Sequence, residues 1–123
     1  MLSSMSPTII AKDGKPFLIV GSPGGRTIIN TVLQVILNVL DHGMNVAEAV
    51  AAPRVHHQWL PDVLAVERWG LSRDTRALLE AKGHRLVERR AQGRAHVVRI
   101  DPVSGMRYGS SDPRAPNGGA SGN

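Results

Sequence analysis

The chain has 123 residues, 41% of them hydrophobic, which supports a modest core in one domain or less and excludes general disorder. Cysteine is absent, which removes disulfides and thiolate chemistry, and Phe17, Trp59, Trp69 and Tyr108 are the only aromatics, so the core must be mainly aliphatic. The net charge of +5 is dispersed: the densest basic group (Arg85, Arg89, Arg90, Arg94) has Glu88 and Gln92 interleaved and no stacking aromatic, so it reads as a solvated face and no nucleic acid is expected as partner.

In chain order, Met-Leu-Ser-Ser-Met-Ser-Pro opens abruptly, with apolar residues where a domain usually has a polar, frayed end. Residues 8–11 are a β-branched run, Asp13-Gly14 carries the signal of a tight hairpin, and residues 16–20 return as an antiparallel strand. The turn Gly21-Ser22-Pro23-Gly24-Gly25-Arg26 then leads into a helix predicted over residues 27–41. Along it Thr27, Asn30, Thr31, Gln34, Asn38 and Asp41 recur every three or four residues and predict one narrow wet stripe, the other faces being apolar. His42-Gly43 ends it with a glycine cap. The run at 28–40 is interrupted by polar residues and too short to span a bilayer, so a soluble chain without a membrane span is expected, with no export signal in it.

Asn45 is placed to cap a short helix over residues 46–52, with Glu48 near its start favouring the dipole and Pro53 ending it. Residues 54–59 are mixed, and residues 63–67 alternate like a strand. Ser72 caps a helix that has Asp74 in its first turn, runs to Ala81 and stops at Lys82-Gly83. Residues 84–89, 96–101 and 106–108 read as strands, the last two paired across the turn at 102–105. Asp112-Pro113-Arg114 reads as a turn with a surface ion pair, and residues 110–123 as an extended or disordered tail behind a folded part at 1–109. The fold class is α+β.

The glycine turn is the chemically suggestive stretch. Glycine permits positive φ and close approach to the main chain, and the first N–H groups of a helix have no internal partners. A strand-to-helix turn of this kind either simply connects or cradles negative charge. Ser22 is not a hydrolase nucleophile elbow, because Pro23 follows where an oxyanion N–H would be needed. His56-His57 would point to opposite faces of a strand, so structural roles are expected and no metal is assigned. Two features suggest a missing partner segment: the opening hairpin has no earlier strands to complete a sheet, and the central helix is apolar on most of its circumference.

Taken in register, Leu2-Ser3-Ser4-Met5-Ser6-Pro7-Thr8, Gly21-Ser22-Pro23-Gly24-Gly25, Asn45-Val46-Ala47-Glu48-Ala49, Ala52-Pro53-Arg54, His56-His57-Gln58-Trp59-Leu60-Pro61 and Ser111-Asp112-Pro113-Arg114 resemble the γ-glutamyltranspeptidases, or glutathione hydrolases. The resemblance is to the carboxy-terminal part of their small subunit. It implies part of the four-layer αββα sandwich of the N-terminal-nucleophile hydrolases, an antiparallel sheet layer on helices. The activity implied is cleavage of γ-glutamyl amides such as glutathione by a threonine whose own α-amine serves as base, through an acyl-enzyme that passes the γ-glutamyl group to water or to an amino-acid or peptide acceptor; no cofactor is implied.

Residue by residue, Gly24 and Gly25 match the backbone N–H pair of the family's oxyanion hole, and Ser3 and Ser4 match the serines that help hold the substrate's α-carboxylate. The family's Thr-Thr-His-type stretch lies upstream of the Ser-Ser motif, and none of Thr8, Thr27, Thr31 and Thr75 can replace its free amine. The isolated chain is therefore expected to be inactive, with the upstream small-subunit segment and the large subunit as partners. The alternative is a non-catalytic subunit or binding module that joins a separate catalytic chain. By resemblance the location is periplasmic, secreted or surface-associated.

Overall fold

The computed structural model describes residues 4–122. The chain divides into two compact units, one made of residues 4–51 with 93–122, the other of residues 52–92.

The first unit is built on a hairpin, β1 (Thr8–Lys12) and β2 (Lys15–Gly21). Its turn has Asp13 at φ 51 and Gly14 at φ 74, the doubly left-handed geometry that follows the right-handed twist of paired strands. A 3-10 turn (Gly25–Thr27) leads into α1 (Ile28–Leu40), followed by α2 (Val46–Ala51). The chain returns to this unit as β6 (His96–Ile100) and β7 (Arg107–Ser111). The sheet order is β1-β2-β6-β7, antiparallel throughout.

On the β2 side the hairpin is extended from within the chain, where Val97 and Val98 lie across from Val20 and Ile19 and supply the next row of the ladder, while β1 lies at the edge of this sheet. Alternation sets the core face. Leu18, Val20, Ala95 and Val97 are buried against Ile28, Val32, Val35 and Val39 of α1 and against Val46, Ala49 and Val50 of α2. Burying each large aliphatic contributes about 1.5–3 kcal/mol.

α1 departs from its predicted wet stripe. Thr31 is 1% exposed, while Ile29, Leu33, Leu37 and Leu40 are 37–54% exposed. The residues facing the sheet, Ile28, Val32, Val35 and Val39, sit at helical spacing and carry Thr31 in with them. The opposite, outward stripe is the one made of Ile29, Leu33, Leu37 and Leu40. α2 starts with a reciprocal cap: the Glu48 N–H donates to Asn45 Oδ1 at 2.9 Å, and the Asn45 N–H to Glu48 Oε2 at 3.0 Å.

The second unit has β3 (Val55–His56), β4 (Leu64–Glu67), α3 (Arg73–Ala81) and β5 (Leu86–Arg89), with β4 antiparallel to β3 and parallel to β5. β4 does not alternate: Ala65, Val66 and Glu67 are all buried, as in a central strand. The Glu67 carboxylate accepts the N–H of Arg54 at 3.0 Å and of Gln92 at 2.7 Å, so that charge lies in a bonded pocket. Gln92, read as part of a solvated basic face, is buried in this network, while Arg89, Arg90 and Arg94 stay exposed. Ser72 caps α3, accepting the Thr75 N–H at 3.3 Å. No helix among the described residues is long and apolar enough to cross a membrane.

Candidate functional site

The site lies in the first unit, where β2 ends at Gly21 and the chain turns into α1. Gly24 has φ 148 and Gly25 φ 55, both in the region that favours glycine. Gly24 is constrained by space as well: a Cβ there would lie 2.7 Å from Thr27 Oγ1 and 3.2 Å from Gly93 Cα. Gly25 has open space at its Cβ position, so only its backbone conformation requires glycine.

Three successive carbonyls of this turn are tied off by hydroxyls. Ser22 Oγ donates to Pro23 O at 2.7 Å, Thr27 Oγ1 donates to Gly24 O at 3.0 Å, and Ser4 Oγ donates to Gly25 O at 2.6 Å. The Thr27 N–H adds a further bond to Gly24 O at 3.2 Å. Among the described residues nothing accepts the N–H of Gly24 or Gly25, and both glycines are exposed. The helix behind them has no acidic residue in its first turn to offset its dipole, and Arg26 adds positive charge. Two unclaimed N–H groups on a fixed frame at a positive helix start can stabilise an oxygen that gains negative charge.

The serines of the opening segment are separated by what can be described. Ser3 lies outside the described residues. Ser4 is half-buried, and its hydroxyl bond joins two motifs 21 residues apart in sequence. A hydroxyl has a single proton to donate, so a carboxylate gripped by Ser4 competes with the Gly25 carbonyl. The segment is braced by two more such bonds, Ser6 Oγ to Ser4 O at 3.1 Å and Thr8 Oγ1 to Ser6 O at 3.0 Å.

Ser22 is bonded to Pro23 O and to the Arg94 N–H, at 3.0 Å, and so serves the frame of the turn. His56 and His57 turn to different partners: His56 Nε2 lies 3.0 Å from Gln58 Oε1, and His57 Nε2 3.0 Å from Asp62 Oδ1. Sequence reasoning missed Gly93 and Arg94, which reach the glycine turn from far along the chain; no local spacing marks a contact across 72 residues. It also misread Asp112-Arg114 as a surface pair. Asp112 Oδ1 and Arg114 Nη1 are 2.9 Å apart with side chains 0% and 12% exposed, because Asp112 turns inward to accept the Ala95 N–H at 2.8 Å.

A sequence profile of the gamma-glutamyltranspeptidases matches residues 1–122. The chain belongs to the gamma-glutamyltranspeptidase family. It is 57% identical over 114 residues to the glutathione hydrolase proenzyme of Escherichia coli, an alignment covering 93% of this chain and 19% of that protein. The chain thus spans about a fifth of the length of that relative. In three dimensions it resembles a mutant gamma-glutamyltranspeptidase from Helicobacter pylori, with a TM-score of 0.89, 51% identity, and 92% of this chain and 62% of that chain covered. The enzyme from Pseudomonas nitroreducens complexed with L-DON gives a TM-score of 0.89 at 36% identity, over 100% of this chain and 64% of that one. The α+β arrangement of helices and sheets is that of these gamma-glutamyltranspeptidase structures.

Proposed function

We propose that this stretch supplies the oxyanion-stabilising half of a site that cleaves γ-glutamyl amides such as glutathione. The N–H groups of Gly24 and Gly25 receive the carbonyl oxygen of the γ-glutamyl group as it becomes an oxyanion, and Ser3 and Ser4 serve the substrate's α-carboxylate. The attacking group is a threonine hydroxyl whose own free α-amine is the base; Thr8, Thr27, Thr31 and Thr75 are internal and have no such amine. The 123 residues by themselves are therefore expected to be inactive. The observation that carries the reading is the Ser4–Gly25 bond, which brings the two family motifs of the proposed site to one place while the glycine N–H groups stay unclaimed.

The stabilisation acts mainly in the transition state, because the oxygen carries its full charge only there. The test measures release of p-nitroaniline from γ-glutamyl-p-nitroanilide by two proteins. One is the 123-residue chain; the other is a chimera in which residues 4–122 replace the matching stretch of the Escherichia coli relative. The chain is expected to be silent and the chimera active, and Gly24→Ala in the chimera to lower kcat about 100- to 1000-fold with little change in KM. Turnover by the chain alone, or a Gly24→Ala chimera with unchanged kcat, would overturn the proposal.

A second reading rests on the exposed stripe of Ile29, Leu33, Leu37 and Leu40, which suits a non-catalytic subunit seated on a separate catalytic chain. It predicts that the chain co-purifies from its source with a γ-glutamyl-hydrolysing partner encoded elsewhere.

A further inference from the structure

We propose that Ser22, Gly93 and the Arg94 backbone form a buttress that positions the Gly24–Gly25 N–H pair, making Ser22 and Gly93 positioning residues for the reaction; this rests on the oxyanion reading above. The turn has to hold two exposed N–H groups in one direction, and glycine at both positions leaves that holding to the residues around them. The 93–94 segment supplies what is missing. The Arg94 N–H donates to Ser22 Oγ at 3.0 Å, and the same hydroxyl donates onward to Pro23 O at 2.7 Å. One hydroxyl thereby clamps the residue immediately before the glycine pair to a strand-entry segment 72 residues away.

Gly93 makes the clamp possible by its size. It has φ 71, and a Cβ there would collide with Thr31 Oγ1 and stand 2.9 Å from Thr31 Cγ2 and 3.0 Å from Ser22 Oγ. Thr31 is buried in α1 and cannot withdraw. Any side chain at 93 would push the segment off both Ser22 and Gly24, whose own Cβ position is 3.2 Å from Gly93 Cα. Gly24 and Gly93 are therefore a matched pair of small residues, the space a Gly24 side chain would take being filled by the Gly93 backbone. Displacing an oxyanion donor by about 1 Å is enough to cost about 100-fold in rate.

The experiment uses the chimera described above, with active sites counted by acivicin, an inhibitor of a solved relative. Ser22→Ala and Gly93→Ala are each expected to lower kcat per titrated site about 10- to 100-fold with KM within about threefold, and Ser22→Thr, which keeps the hydroxyl, to recover most of the loss. A purely structural role would reduce the number of titratable sites and leave kcat per site intact, and that result overturns the proposal. If Gly24→Ala lowers kcat while Ser22→Ala and Gly93→Ala do not, the buttress fails and the oxyanion reading stands; if Gly24→Ala has no effect, the oxyanion reading itself fails. A second measurement needs no turnover. In the 15N-labelled 123-residue chain, Ser22→Ala is expected to drop the Gly24 and Gly25 amide order parameters from the rigid range near about 0.85 to below about 0.6. Unchanged order parameters in the variant refute the buttress.

Discussion

Replacing Asp112 by asparagine should destabilise the first unit almost as much as replacing it by alanine. Asp112 is 1% exposed, and its carboxylate bonds inward. Oδ2 accepts the Ala95 N–H at 2.8 Å; Oδ1 accepts both the Arg114 N–H and Arg114 Nη1 at 2.9 Å. Arg114 Nη1 also donates to Val50 O at 2.9 Å, so the pair fastens the end of β7 to β6 and to α2. Asparagine keeps the shape but exchanges one oxygen for an NH2 group. In either orientation that group faces an N–H donor, from Ala95 or from Arg114. Bonds to a charged acceptor contribute about 1.5–3 kcal/mol each, and an unsatisfied buried donor costs about 1–3 kcal/mol. One weakened bond and one donor-against-donor contact make Asp112→Asn cost about 2–4 kcal/mol. Asp112→Ala also leaves a guanidinium without its counter-ion, raising the cost to about 3–5 kcal/mol. Urea unfolding followed by circular dichroism reads both against a total stability of about 5–15 kcal/mol. An asparagine variant within about 0.5 kcal/mol of the parent would refute the inward-bonded carboxylate.

Leu18 is fully buried and Leu33 is on the exposed stripe of α1, so Leu18→Ala should cost about 2–5 kcal/mol and Leu33→Ala less than about 1 kcal/mol in the same unfolding assay. Asn45→Ala removes one half of the reciprocal cap of α2 and should cost about 1 kcal/mol, with Asn45→Asp nearly neutral. The Asp74 carboxyl is held below its ordinary value, first by the Ser72 hydroxyl and then by the N–H groups of Asp74 and Thr75. The Asp101 carboxyl is held down first by the Ser104 N–H, then by the Ser104 hydroxyl and the Val103 N–H. Because folding lowers these values, their stabilisation is complete above the unfolded carboxylate range and disappears as the pH falls through the folded values, below about pH 4. A 13C NMR titration should show Ser72→Ala raising the Asp74 midpoint and leaving that of Asp101 in place; an unmoved Asp74 midpoint rejects the assigned cause.

Local rules carried most of the elements. Asp13-Gly14 made its hairpin, Asn45 and Ser72 capped their helices, and the run from Ile28 formed α1, because each signal depends on residues a few positions apart. Periodicity went wrong where two apolar faces compete. On α1 the stripes through Ile28, Val32, Val35 and Val39 and through Ile29, Leu33, Leu37 and Leu40 are equally hydrophobic in sequence, and only the position of the sheet decides which is covered. Thr31 was assigned to water for the same reason, although its side chain lies against the position a Gly93 Cβ would take. Glu67 and Gln92 escaped because a buried carboxylate is identified by the backbone N–H groups that reach it, and those belong to Arg54 and Gln92, 13 and 25 residues away.

The glycine turn shows where such reading stops at a site. Its available backbone N–H groups were legible, since two adjacent glycines between a strand and a helix leave them without internal partners, and the proposed oxyanion role rests on them. Its mechanics were not. The residue that chemical habit nominates there, Ser22, has a hydroxyl occupied by Arg94 N–H and Pro23 O, and the atoms left to a ligand are main-chain N–H groups that no side chain advertises. Three hydroxyls from positions 4, 22 and 27 hold the carbonyls of residues 23–25, and Gly93 closes the frame from behind. An oxygen that becomes negative for an instant is best met by donors that do not have to move, and donors on a glycine loop stay still only if the surroundings hold them. On the proposed reading, the side chains around this turn matter through the directions they impose on Gly24 and Gly25, and a substitution among them is expected to alter kcat before it alters binding.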